Sequence, residues 1–312
     1  MSLVERHTGR SLDHPVLVVA MEGWVDAGFG AAGAVGAMLA AGQTELVATF
    51  DTEELLDHRA RRPVAHIDNG INEGLSWPSI EVRAGRDLLG REVCFLIGPE
   101  PDFHWRSFVA ATVGLARDLE VRMAVGLGAF PAPAPHTRPV RLAATAPAES
   151  SDLSRSMGVI KGEIEVPSGI WGPLELAFGA AGIPAVGLWA RVPHYVSAMA
   201  FPPASAALVA GLSDVSGLAF DVSTLSTAGD TALRQVDDLI SRSEEHADMV
   251  RSLEHSIDEA EGNTLDIGQV PTGDEIAAEL ERYLRSQRAG DDGDTSDEGE
   301  YPDDGDTSDE GW

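Results

Sequence analysis

One pattern limits this chain more than any other: short apolar runs of β type alternate with segments of helical spacing from residue 16 to residue 212. Val16–Met21, Leu46–Phe50, Arg91–Ile97, Val121–Leu127 and Ala185–Ala190 read as strands. Shorter strands are expected at Pro63–Ile67, Ile80–Arg83 and Val140–Thr145, with the turn-rich Asp68–Gly74 between the first two. Asp26 opens a helix to about Ala41, and Trp105–Glu120, Ser150–Met157, Leu174–Ala181 and Pro203–Leu212 read as further helices. Strands that alternate with helices build a mostly parallel sheet covered on both faces. Such sheets bind ligands and partners outside the carboxyl ends of their strands.

Charge decides which partners are excluded. The chain carries 51 acidic and 22 basic residues, a net charge of −29. A surface this negative repels phosphate backbones and anionic lipid, so neither nucleic acid nor membrane is an expected partner. Cys94, the only cysteine, precludes an internal disulfide and suits a reducing cytoplasm. It lies in an apolar run and reads as a packed strand residue. Residues 1–14 lack the apolar core of a signal peptide. The longest uncharged stretch, Ala27–Thr44, is too short and too weakly apolar to span a bilayer. A soluble, cytoplasmic protein is expected.

Three loops follow three of the strands and collect Gly, Pro, aromatic and ionisable residues. They are Gly23-Trp24-Val25-Asp26-Ala27-Gly28, Pro135-His136-Thr137-Arg138-Pro139 and Val192-Pro193-His194-Tyr195-Val196. Asp26 suits a helix N-cap, or the wall of a pocket for an anion that its own charge would repel. Pro131, Pro133 and Pro135 stiffen the second loop, so His136 and Arg138 are presented at a fixed place. Arg138 has the fork to hold a phosphate or carboxylate, or to pair with one of the chain's own acids. His194 reads as a general base, a hydrogen-bonded core residue or an interface residue. Gly28-Phe29-Gly30-Ala31-Ala32-Gly33 matches the dinucleotide fingerprint, with Asp51 at the ribose distance. Its glycines fall inside the helix, however, where close packing is the better account of them. No paired metal-ligand spacing, nucleophile elbow or phosphate-binding lysine loop is present in the sequence. No cofactor and no catalytic residue are expected.

These three segments, with Ser168-Gly169-Ile170-Trp171-Gly172-Pro173 between the second and third, resemble the PAC2 family of proteasome-assembly-chaperone relatives over residues 14–220. The resemblance implies a three-layer α/β sandwich related to phosphorylase-like folds, a topology the alternation alone does not choose. It implies an actinobacterial source, which a composition of one lysine to 21 arginines also suits. It points to Gly23, Trp24, Asp26, Gly28, His136, Arg138, Trp171, His194 and Tyr195 as ligand or interface positions. It implies a non-enzymatic assembly or interaction role with protein partners, proteasome subunits among them, and self-assembly into a homo-oligomer. The alternative is a small-molecule-binding or nucleoside-phosphorylase-like enzyme that uses the same loops.

The remainder of the chain changes character. Thr231–Ala260 reads as one long amphipathic helix with a stripe of Leu233, Val236, Ile240, Val250, Leu253 and Ile257. After a link at Gly262–Gly273, Asp274–Gln287 reads as a second helix, so residues 223–290 form a hairpin that packs on the core or reaches a partner. Residues 1–222 are then the α/β domain. Residues 291–312 hold 11 acids, no base, and the nine-residue sequence 291–299 repeated at 303–311. Such a tail is expected to stay disordered. Related chaperones can dock through a C-terminal hydrophobic–Tyr–any motif; here the last residues are Gly311-Trp312, so docking by that route is not expected, and the acidic tail or the hairpin is left as the alternative route.

Overall fold

The computed structural model describes residues 3–262 apart from 8, 10, 24 and 159–161. The link beyond Gly262, the helix expected at Asp274–Gln287 and the acidic tail lie outside the described residues, as does Trp24.

Eight strands form the main sheet: β1 (Val4–Arg6), β2 (Val16–Glu22), β3 (Glu45–Phe50), β6 (Glu81–Arg86), β7 (Glu92–Pro99), β8 (Met123–Ala132), β9 (Leu142–Thr145) and β10 (Ala185–Pro193). Their order is β1-β3-β6-β7-β2-β8-β10-β9. The four central strands, β7, β2, β8 and β10, pair in parallel. Strands β6 and β9 flank them through antiparallel pairings, with β3 and then β1 completing one side. The remaining strands, β4 (Val64–Asp68) and β5 (Ile71–Ser76), form a separate hairpin exposed along its whole length.

Central strands in such a sheet are apolar on both sides because helices cover both faces. Val16 and Val18 of β2, Val93 and Phe95 of β7, and Leu188 and Val192 of β10 meet α1 (Gly30–Ala40) and α6 (Pro202–Ser216). Leu17, Val19, Cys94 and Leu96 face the other way. There they meet Phe108 of α3 (Trp105–Asp118) and Leu174 and Phe178 of α5 (Trp171–Ala180). The result is the three-layer α/β sandwich, with Cys94 fully buried. The short helices α2 (Thr52–Leu55) and α4 (Ser151–Met157) fill connections.

One expectation is corrected. Thr231–Ala260 is not a single helix: α7 (Ser223–Ile240) begins earlier and stops, and α8 (Glu244–Gly262) starts anew. The amide of His246 donates to Ser243 Oγ at 3.4 Å, a serine cap that opens the second helix. Helix α7 packs on α6 and buries Ala232 and Val236. No described helix is long and apolar enough to cross a membrane.

Candidate functional site

Because β2, β7, β8 and β10 are parallel, the loops at their carboxyl ends gather at one edge. The backbone ties the first and third loops together. The amide of Gly28 donates to the Ser197 carbonyl at 2.8 Å, and the amide of Phe201 donates to the Gly28 carbonyl at 2.8 Å. Gly28 sits at φ +64°, and a Cβ there would stand 2.8 Å from the Cβ of Phe201. Only glycine meets both conditions.

Asp26 works as a cap. Its carboxylate accepts from the amides of Ala31 at 2.8 Å and Ala32 at 3.0 Å. Burial pushes its pKa up, and those amides pull against the rise. The first-turn amides that would cradle a pyrophosphate are therefore occupied. Gly30 and Gly33 lie where a Cβ would collide with Ala129 and Ser205, so they serve the approach of α1 to the sheet and α6. Asp51 caps α2 through the Glu53 amide at 3.1 Å. The dinucleotide match is a packing motif.

The second and third loops meet through His136 and Tyr195. The Tyr195 hydroxyl accepts from the His136 amide at 2.8 Å and lies 2.7 Å from Nδ1 of the same residue. Nε2 of His136 lies 2.9 Å from Asp237 Oδ1 on α7. For a neutral imidazole one tautomer satisfies all three contacts. The phenol donates to Nδ1, and Nε2–H donates to the carboxylate. Burial pushes the Tyr195 phenol up to about 12, with Glu254 and Asp237 adding to the rise and the His136 amide opposing it. The phenol thus keeps its proton and is a poor nucleophile.

Arg138 takes the second of its two sequence readings. Its Nη2 and Nε bind Asp258 of α8 at 2.7 and 3.1 Å, and Nη1 binds Glu254 at 3.3 Å. Thr137 Oγ1 donates to the same Glu254 carboxylate. Bonding to Asp258 raises the Arg138 pKa, and bonding to Arg138 lowers that of Asp258. The helical extension is thereby clasped by loop two at both of its helices.

Trp171 is a core residue. Its ring lies flat on Gly126 and Gly187, where any Cβ would strike it, and its Nε1–H donates to Glu175 at 3.1 Å. The same Glu175 oxygen accepts from Thr145 Oγ1 at 2.8 Å and from the Gly187 amide at 3.1 Å, and burial raises its pKa. His194 is half-buried beside Tyr195, ring centroids 5.3 Å apart. Gly23 lies against Glu100.

Glu100 itself escaped the sequence reading. It follows β7, which leads to α3 on one face, and touches the loop after β2, which leads to α1 on the other. This is the switch crevice of the sheet. Its carboxylate accepts from the Ile170 amide at 3.1 Å, and burial raises its pKa against the pull of that amide and of Arg61. Its place directly after Gly98-Pro99 at the end of an apolar run was the available signal. The edge also exposes large apolar side chains: Phe29 after β2 (55% exposed), Phe103 after β7 (49%) and Met199 after β10 (36%). Among the described residues no three His, Cys, Asp or Glu side chains converge as a metal set.

The fold defines a class, the three-layer α/β proteins with a mostly parallel sheet; in this chain His136 and Arg138 at the sheet edge are engaged by its own helical extension. Comparison with known proteins places the chain within that class. The family model for the PAC2 family matches residues 20–240, and the chain belongs to that family. A Mycobacterium tuberculosis proteasome-assembly chaperone homologue is 35% identical with a TM-score of 0.70, over 75% of this chain and 99% of its own. A PAC2 family protein from Streptomyces avermitilis is 34% identical with a TM-score of 0.67, over 76% and 99%. A Mycobacterium tuberculosis protein of unknown function is 32% identical with a TM-score of 0.76, over 83% and 91%. A search of the curated proteins gave no match.

Proposed function

We propose that this chain is a non-enzymatic, assembly-chaperone-like protein that binds a protein partner through the carboxyl edge of its sheet and acts as a cytoplasmic homo-oligomer. One observation carries the reading. Three parallel strands deliver Phe29, Phe103 and Met199, all exposed, to a single edge whose backbone is braced by the Gly28–Ser197 and Gly28–Phe201 hydrogen bonds. Stiff loops that present large apolar groups bind at low ordering cost. The polar groups that a phosphorylase-like reaction would use are engaged elsewhere: Arg138 with α8, His136 with Tyr195 and Asp237. The likeness to a proteasome-assembly chaperone homologue makes proteasome subunits the first partners to test.

The test mixes the full chain with purified actinobacterial proteasome α and β subunits and follows complexes and assembly on native gels and by sedimentation. A complex is expected, together with a species larger than one 32.9 kDa chain when the protein is alone. Changing Phe29, Phe103 and Met199 to Ser is expected to abolish the complex without altering Tm. Absence of any complex at tens of micromolar refutes the reading. Release of free base from nucleosides with phosphate, lost in Arg138→Ala, moves the protein to the phosphorylase alternative.

A further inference from the structure

Strand β10 sorts its side chains by alternation. Val186, Leu188, Ala190 and Val192 enter the core under α6. Gly187, Trp189 and Arg191 take the opposite face. There Trp189 lies over Gly128 and donates from Nε1 to Thr145 Oγ1 at 3.1 Å. Arg191 stands in register with Phe130 of β8, and its amide donates to the Arg141 carbonyl at 3.0 Å. Ala143 pairs with Trp189, so the same alternation puts Arg141 on this face. Phe130, Trp189 and Arg191 are all half-buried.

Arg191 differs from the other half-buried arginines among the described residues. Arg61, Arg83, Arg91 and Arg138 each reach a carboxylate within 3.3 Å. Among the described residues no acid stands against the Arg191 guanidinium, in a protein where acids outnumber bases 51 to 22. Burial, and then the charge of Arg141, pulls the Arg191 pKa below its ordinary value. A desolvated cation with no counter-charge against it destabilises a fold. Costs of that kind are concentrated at functional sites.

We propose that the fork of Arg191, with Arg141 adding charge and with Trp189 and Phe130 alongside, binds an oxyanion, a carboxylate or a phosphate, carried on a flat apolar group. The guanidinium plane matches two oxygens of either anion, and the aromatic neighbours accept the apolar part. The site lies on the α3/α5 face, and its existence does not depend on the partner proposed for the sheet edge.

Calorimetric titration of the full chain tests this with three probes: phenyl phosphate, N-acetylphenylalanine and the uncharged N-acetylphenylalanine amide. At least one charged probe is expected to saturate, the amide to give no heat, and Arg191→Gln to weaken binding about tenfold or more, as loss of a charge-assisted bond predicts. Preference for phenyl phosphate assigns a phosphorylated ligand. Preference for N-acetylphenylalanine assigns the carboxyl end of a peptide. A second variant, Arg191→Met, keeps the reach of the side chain without its charge and is expected to raise Tm in the absence of ligand. Failure of both charged probes at millimolar concentration, equal binding by Arg191→Gln, or a fall in Tm for Arg191→Met overturns the proposal.

Discussion

Removing one oxygen, by Tyr195→Phe, tests how the helical extension is joined to the core. That oxygen accepts from the His136 amide and lies at hydrogen-bond distance from His136 Nδ1. The phenyl ring keeps its shape and its edge contact with His136, centroids 5.8 Å apart. The loss is therefore confined to two polar atoms of a residue only 5% exposed. Each buried group left without a partner costs about 1–3 kcal/mol. Relief from burying the phenol oxygen offsets part of this, which leaves a net loss of about 2–3 kcal/mol. In a domain of this size that lowers Tm by about 5–10 °C. Asp237→Ala cuts the other end of the same chain, but this carboxylate is 63% exposed and water replaces it. Its cost is expected to stay below about 1 kcal/mol. Urea unfolding of the full chain, followed by circular dichroism, reads both, with the midpoint moving and the slope unchanged. Tyr195→Phe within about 0.5 kcal/mol of the parent, or Asp237→Ala costing more than Tyr195→Phe, refutes the network as drawn.

Three further outcomes are expected. Arg138→Ala frees Glu254 and Asp258, so hydrogen exchange in α8 should quicken while the central strands stay protected. The Asp258 contact acts in full above the ordinary carboxylate range and fades as pH falls through its depressed value, so the same quickening should follow acidification of the unmodified protein. Glu175 is raised by burial, so its folded-state contribution is present at low pH and lost as pH rises through the raised value. Glu175→Gln keeps an acceptor for the same three donors without the charge; its Tm should match the parent's near pH 4 and exceed it at pH 8, whereas equal values at both would refute the assignment. Gly28→Ala sets a Cβ against Phe201 in a left-handed backbone conformation and should cost at least about 1–2 kcal/mol in a urea titration.

The sequence made the central sheet legible because β2, β7, β8 and β10 are buried on both faces, which leaves uninterrupted apolar runs. Short or exposed strands carry no such signal. β1 has three residues, of which Glu5 and Arg6 are exposed, and β5 was hidden in a stretch that reads as turn. β8 and β10 run on to Ala132 and Pro193, past the points where the apolar pattern ends. The break between α7 and α8 was masked because the apolar stripe stays in phase across Ser241-Arg242-Ser243; the Ser243 cap was the overlooked sign. At the edge, the cap role of Asp26 and the packing role of the glycines followed from local rules. The acidic partners of His136 and Arg138 did not. They lie more than 100 residues away, and with 51 acids in the chain the spacing gives no means of choosing among them.

The sheet order also has a consequence in time. β2 occupies the middle of the sheet, yet β7 and β8, its neighbours, begin about 70 and 100 residues later in the chain. At ribosomal speeds of ~5–20 residues per second, the run Val16-Leu17-Val18-Val19-Ala20 waits several seconds or longer for either partner. That run has the β propensity, hydrophobicity and lack of charge that favour intermolecular strand pairing. Nascent chains therefore need shielding at this segment before β7 emerges, and an amino-terminal fragment that stops short of β7 should collect in the insoluble fraction.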